Sequence, residues 1–248
     1  LTPAEAFSIG TKTLTVTSGT LNVDYGITCG VFTMAGGTLA GSSTMSVGGN
    51  VTLAGTISYT GTMTITAACT FTSNDKTLNG NLTINAAGTT TQLADALTMS
   101  TSAGSITVTA GTFDMNGKAV QCHDFTVGTG TTISSSAATT LSVYGSVSVN
   151  SGSTFSFTGT LALRGSGEAV ASGTKTWTAA TLNATGTYTL SDAFAFTSTA
   201  TSMTFTAGTL AINGQTFTTF NLIPGTCTVS GSGNINVYGA ITLTSSTW

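Results

Sequence analysis

Charge is what this sequence has least of. Only 5% of its 248 residues are Asp, Glu, Lys or Arg, against about 25% in ordinary globular domains. Five Lys+Arg cannot assemble the run of cationic contacts that a phosphate backbone demands, so nucleic acid is not an expected partner. There is one histidine, and the four cysteines, Cys29, Cys69, Cys122 and Cys227, form no CxxC or Cys/His grouping. A structural zinc site is therefore unsupported, and no metal or cofactor is expected. The thiols are expected to be buried and unpaired, as small hydrophobes, with disulfides as the alternative. No apolar run approaches the ~18 residues of a spanning helix, so membrane insertion is not expected either. Helical spacing of apolar residues is missing as well, apart from a weak patch near Leu93–Leu97. The chain opens at Leu1 with no charged-then-apolar leader, as expected of a processed chain or a piece of something longer.

What the sequence does contain is apolar, β-branched and repetitive. Hydrophobic residues make up 40%, enough for a continuous core, and they argue against disorder. They alternate with Thr and Ser at period two: Leu14/Val16, Met63/Ile65, Ile106/Val108, Leu141/Val143, Val147/Val149, Leu161/Leu163 and Leu210/Ile212. Each such run reads as a short strand with an apolar face and a hydroxyl face. Gly, Asn-Gly and Ser-Gly separate the runs and turn the chain.

The triplets Gly19-Thr20-Leu21, Gly37-Thr38-Leu39 and Gly55-Thr56-Ile57 recur at a spacing of 18. A longer match aligns residues 109–118 with 206–215, and a weaker copy starts at Phe71. The offsets of 42 and 97 among positions 71, 113 and 210 suit whole numbers of units of roughly 19 to 21 residues. Several very short strands per unit, with the unit repeating, favour a solenoid over a sandwich. The predicted fold is all-β: a single parallel β-solenoid (β-helix) of about twelve coils of roughly 18–21 residues. It would span residues 11–248 behind an N-terminal capping segment, residues 1–10, in which Pro3–Phe7 forms a turn.

The stretches Gly111–Lys118, Gly208–Gln215 and Gly49–Thr56 resemble the degenerate Gly/Thr/Ser-rich β-solenoid repeats of phage tail fibres, other virion appendages and bacterial autotransporter-like surface adhesins. The resemblance implies a non-enzymatic structural or adhesive rod at an extracellular or virion surface. Its implied partners are other structural proteins of the same appendage, further copies of itself in an oligomer or filament, and cell-surface glycans. It brings no catalytic residues with it.

Rival readings rest on particular residues. Cys122-His123-Asp124 invites a nucleophile reading, but adjacent strand residues face opposite ways. A carbohydrate-active β-helix needs two carboxylates about 5–9.5 Å apart. Asp75 and Asp114, each followed by a lysine within four residues (Lys76, Lys118), are the pair that could share a corner. The bland reading of both is as turn residues. The calcium-binding G-G-x-G-x-D turn does not occur. Pairs such as Thr62/Thr64 suggest an ice-binding face, but their spacing in the sequence is irregular, and Thr is also the ordinary outward residue of a strand. Among the aromatics Tyr25, Tyr59, Tyr144, Trp177, Tyr188, Tyr238 and Trp248, those facing outward can stack on sugars. Tyr144, Trp177, Tyr188 and Tyr238 are the glycan-contact candidates, whereas Phe155, Phe157, Phe194 and Phe196 are expected in the core.

Overall fold

A computed structural model describes residues 3, 5–196 and 202–241. Over them the chain is a Thr-rich parallel β-solenoid of about eleven coils, with no helix among the described residues. A full coil carries three short strands. Val120–Cys122, Phe125–Val127 and Thr132–Ser134 make one coil, and Thr140–Val143, Val147–Val149 and Thr154–Ser156 make the next. Period-two patterning sets the orientation: in Phe125–Val127 the two ends are buried and Thr126 faces out.

Stacking converts these short strands into long ladders, which supplies the stability a three-residue strand lacks alone. Ile27, Met45, Met63, Leu82, Ile106, Phe125, Val147 and Val170 pair one above the next in parallel, forming an apolar column along the axis. The Gly-Thr-apolar triplets stack as expected, Thr20 over Thr38 over Thr56 and Leu21 over Leu39 over Ile57. Pairing also reaches into the segment expected as a cap, because Phe7–Ser8 pairs with Ile27–Thr28.

Coil length varies along the chain. Ile27 and Met45 are 18 residues apart, Phe125 and Val147 are 22, and Leu82 and Ile106 are 24. About eleven coils result.

The 97-residue offset is likewise not a whole number of coils. Phe113 lies in register with Thr91 and Ile133, whereas Leu210 pairs with Tyr188 and Val229 on another side of the rod. The two matched segments share local structure but are rotated by one face. The irregular ladder of Asn81–Leu93 on Ile106–Asp114 is repeated by Ala179–Leu190 on Ser202–Ala211. Asp95 accepts the backbone N–H groups of Ser73 and Asn74 from the preceding coil, and Asp192 does the same for Ser172 and Gly173. The Leu93–Leu97 patch is thus a strand end and an Asp-stapled turn. Asn74, Asn116 and Asn213 also match: each has positive φ and donates its side-chain amide to a carbonyl of the previous coil, that of Leu53, Leu93 or Leu190.

The interior is one continuous apolar core. Trp177 sits in it with its ring centroid 4.5 Å from Phe155 and 6.1 Å from Phe194, and the stack continues through Phe196 and Phe217. All four cysteines are buried and free. Burial pushes the Cys29 thiol up to about 11 and Cys69 up to about 12. Among the described residues, three buried side-chain polar atoms have no partner: Thr91 Oγ1, Thr139 Oγ1 and Trp177 Nε1.

Candidate functional site

The outer surface is dominated by hydroxyls in register. Ser8, Thr28, Ser46, Thr64, Thr83, Thr107, Thr126 and Ser148 form a single outward column. Irregular spacing in the sequence therefore becomes regular in space, because coil length and turn length vary together. The second column needed for a two-row Thr array is not uniform: beside Thr64 stands Thr62, beside Thr83 stands Asn81, and beside Thr126 stands Asp124.

Asp75 and Asp114 do not stack. Asp114 lies over Gln92, which lies over Thr70, whereas Asp75 sits in the turn beyond Ser73 and Asn74. The Asp114 carboxylate is occupied, accepting from the Gln92 amide at 2.9 Å and from the Asn116 N–H at 2.9 Å. It borders a shallow groove of about 470 Å³ whose polar groups largely satisfy one another: Asn50 Oδ1, for instance, accepts the Thr70 N–H.

The chain's rarer side chains gather at a different corner. Cys122, Val143 and Leu163 stack inward on three successive coils, and the residues that follow them, His123, Tyr144 and Arg164, turn outward at the same corner. At about 4.8 Å per coil these three span roughly 10 Å along the rod. The number of residues rounding the corner gives the place its shape. Residues 100–105 make six between strands, 123–124 two, 144–146 three and 164–168 five. Two tight coils between two long ones leave a notch of about 400 Å³, lined by Thr101, Ser102, His123, Tyr144, Arg164, Ser166 and Thr185.

Three further features hold the notch in place. Gly145 leaves room for the His123 imidazole and the Asp124 carboxylate, which a Cβ there would strike. His123 Nδ1 lies 3.0 Å from Asp124 Oδ2, leaving Nε2 facing away from that pair. Asp124 also accepts from Ser105 Oγ and from the Ser146 N–H. Partial burial pushes its carboxyl up, but the hydrogen bonds from Ser146 and His123 and the His123 charge outweigh this and leave it below the usual value. Beneath the corner, Tyr188 is fully buried. Its hydroxyl accepts the Gly165 N–H at 3.0 Å and donates to the Val143 carbonyl at 3.1 Å, two coils away. It pins the backbone that carries both Tyr144 and Arg164.

The glycan-contact candidates therefore separate by placement. Trp177 and Tyr188 are wholly inside the core, because their positions alternate inward with Phe196 and Leu210, and neither offers a ring face to a ligand. Tyr59 is inward as well, its hydroxyl held by the Ser43 and Thr62 carbonyls. Tyr144 is partly exposed in the notch, while Tyr25 and Tyr238 stand exposed elsewhere; Trp248 lies outside the described residues. Phe157, Phe194 and Phe196 are buried as expected, and Phe155 partly so. In the Cys122-His123-Asp124 run the thiol points into the core and the imidazole out, so the two do not meet.

Sequence reasoning did not single out Arg164 or the notch itself. The signal was present in the unequal linkers between inward pairs, Met99 to Ile106 against Cys122 to Phe125. That signal becomes legible only once the register is known. No family model, curated protein or solved structure matches this chain.

Proposed function

We propose that the chain is a non-enzymatic structural and adhesive rod segment of an extracellular or virion-surface appendage. The observation that carries this reading is the uninterrupted parallel ladder over a single core column, clad almost entirely in neutral hydroxyls. Successive coils pair in parallel from Phe7–Ser8 to Asn221–Ser230 along one face, which suits a load-bearing, protease-resistant shaft, and a near-neutral surface leaves lateral association unopposed by charge. The separation of Asp75 from Asp114, and the occupation of Asp114 by Gln92 and Asn116, favour the rod over a glycan-cleaving β-helix.

The test is cryo-electron microscopy of the protein taken from its natural source rather than from recombinant expression. A rod projecting from a capsid, tail or cell envelope, or repeating along a filament, is expected. Dispersed single copies that shorten a polysaccharide would sink the reading.

A further inference from the structure

The notch at the corner of residues 123–124, 144–146 and 164–168 has the makings of a ligand site. We infer that it binds an acidic saccharide, with the ligand's carboxylate on Arg164 and a sugar ring against Tyr144. The inference stands on the geometry of this corner, and it holds or fails whether or not the rod belongs to an appendage.

The chain has one His and one Arg in 248 residues, and the stacking places them one coil either side of a tyrosine. Among the described residues no carboxylate lies within ion-pair distance of the Arg164 guanidinium, and neither it nor the Tyr144 hydroxyl has a hydrogen-bond partner among them. The nearby acids are engaged elsewhere: Asp124 with Ser105, His123 and Ser146, and Glu168 with the Ser146 hydroxyl at 3.0 Å. By contrast Lys175, another of the five cations, donates to the Ser151 and Ser153 carbonyls. A planar, unpaired guanidinium matches a carboxylate bidentately.

The other walls suit the rest of a sugar. A partly exposed Tyr ring gives an apolar face with a polar tip. Thr101 and Ser166 offer hydroxyls that donate or accept, Thr185 Oγ1 donates to the Gly165 carbonyl and Ser102 Oγ pairs with Ser100 Oγ but both keep acceptor capacity, and His123 Nε2 adds a further polar atom. Preorganisation is built in from below, since Tyr188 fixes the backbone on which Tyr144 and Arg164 stand. The larger groove at Asp114 lacks this character, because its groups bond one another and its charge is negative.

The experiment titrates the intact chain by calorimetry and ligand-observed NMR with two matched pairs: trigalacturonate against neutral galactotriose, and 3′-sialyllactose against lactose. Millimolar binding of at least one acidic member is expected, with its neutral counterpart about tenfold weaker or worse. Arg164→Gln and Tyr144→Ala are each expected to weaken binding by about tenfold or more, while Lys118→Gln, a cation at another corner, leaves it unchanged. Both notch side chains point outward, and circular dichroism with thermal melting establishes that these variants keep the fold. Equal binding of neutral and acidic members, binding undiminished in Arg164→Gln, or no binding of either acid at millimolar concentration would each overturn the assignment.

Discussion

Two threonines of similar burial should respond in opposite directions to the same substitution. Thr91 is wholly buried between Cys69 and Phe113 in the stack, and its Oγ1 has no partner. Thr131 is equally buried, but its Oγ1 donates to the Gly128 carbonyl at 2.7 Å. Valine has nearly the shape of threonine, so Thr→Val exchanges a hydroxyl for a methyl with little change in packing. At Thr91 the folded state sheds an uncompensated desolvation penalty of about 1–3 kcal/mol, and the new methyl gains apolar contact. We expect Thr91→Val to stabilise the protein by about 1–2 kcal/mol, a rise of roughly 2–8 °C in thermal midpoint for a chain of this size. At Thr131 the same change deletes a made hydrogen bond and strands a carbonyl, a loss of about 1 kcal/mol or more. Thr126, on the outward column, serves as the reference and should shift by no more than about 0.5 kcal/mol on the same substitution. Urea denaturation followed by circular dichroism, with scanning calorimetry, reads all three. If Thr91→Val and Thr131→Val shift the same way, hydrogen-bond satisfaction is not what separates these sites and the reasoning fails.

Tyr188→Phe leaves the Gly165 N–H and the Val143 carbonyl without their shared partner, and should cost about 1–3 kcal/mol in urea titration. An unchanged midpoint would show that the corner is not held from below. Gly165→Ala places a Cβ against the Tyr144 carbonyl and the Tyr188 hydroxyl and should lose more than about 3 kcal/mol or fail to fold. Gly88→Ala meets open space at φ +71° and should cost only about 1–2 kcal/mol, the strain of the left-handed backbone. The four buried thiols should resist a disulfide-exchange reagent in the native state and all react in guanidinium; labelling of folded protein would contradict their burial. Because burial raises the folded thiol values, this stabilisation is complete below the unfolded value of 9.0 and fades as pH climbs towards about 11 for Cys29, so denaturant midpoints should fall between pH 8.5 and 10.5. Asp124 behaves in the reverse sense: its lowered carboxyl supports the fold above the unfolded value of 3.8 and loses that support under acid. Asp124→Asn should flatten the acid limb of a stability profile.

Local alternation carried most of the architecture. Leu21, Leu39 and Ile57, spaced 18 apart in the sequence, stand on one another. The Asn at positions 74, 116 and 213 marked real equivalents, because a positive φ with an amide reaching the previous coil is a purely local requirement. The long offset misled. The match at an offset of 97 residues nearly preserves strand lengths and keeps the Asp staples but not the face, since coils of 18 to 24 residues let the chain slip by a third of a turn. Trp177 and Tyr188 looked like surface aromatics because a single aromatic in a Thr-rich run gives no direction. Only register with Phe196 and Leu210 shows them facing in. The notch needed more still, since its components come from separate coils and its shape from a difference in loop length between them.

Coils that bond mainly to their neighbours have a mechanical consequence. A coil of about 20 residues occupies about 4.8 Å of axis yet yields about 65–70 Å of contour when drawn out. Tension applied along the axis would open the ladder like a zipper, one coil per event, rather than shear it all at once. The force record should be a sawtooth whose step widths follow coil length, widest for the coils of 22 to 24 residues. Near residue 165 the Tyr188 strut, which ties coils two apart, should make one tooth taller than the rest. A chain stacked in this way would absorb a sudden pull by lengthening many times over before its last coil opened.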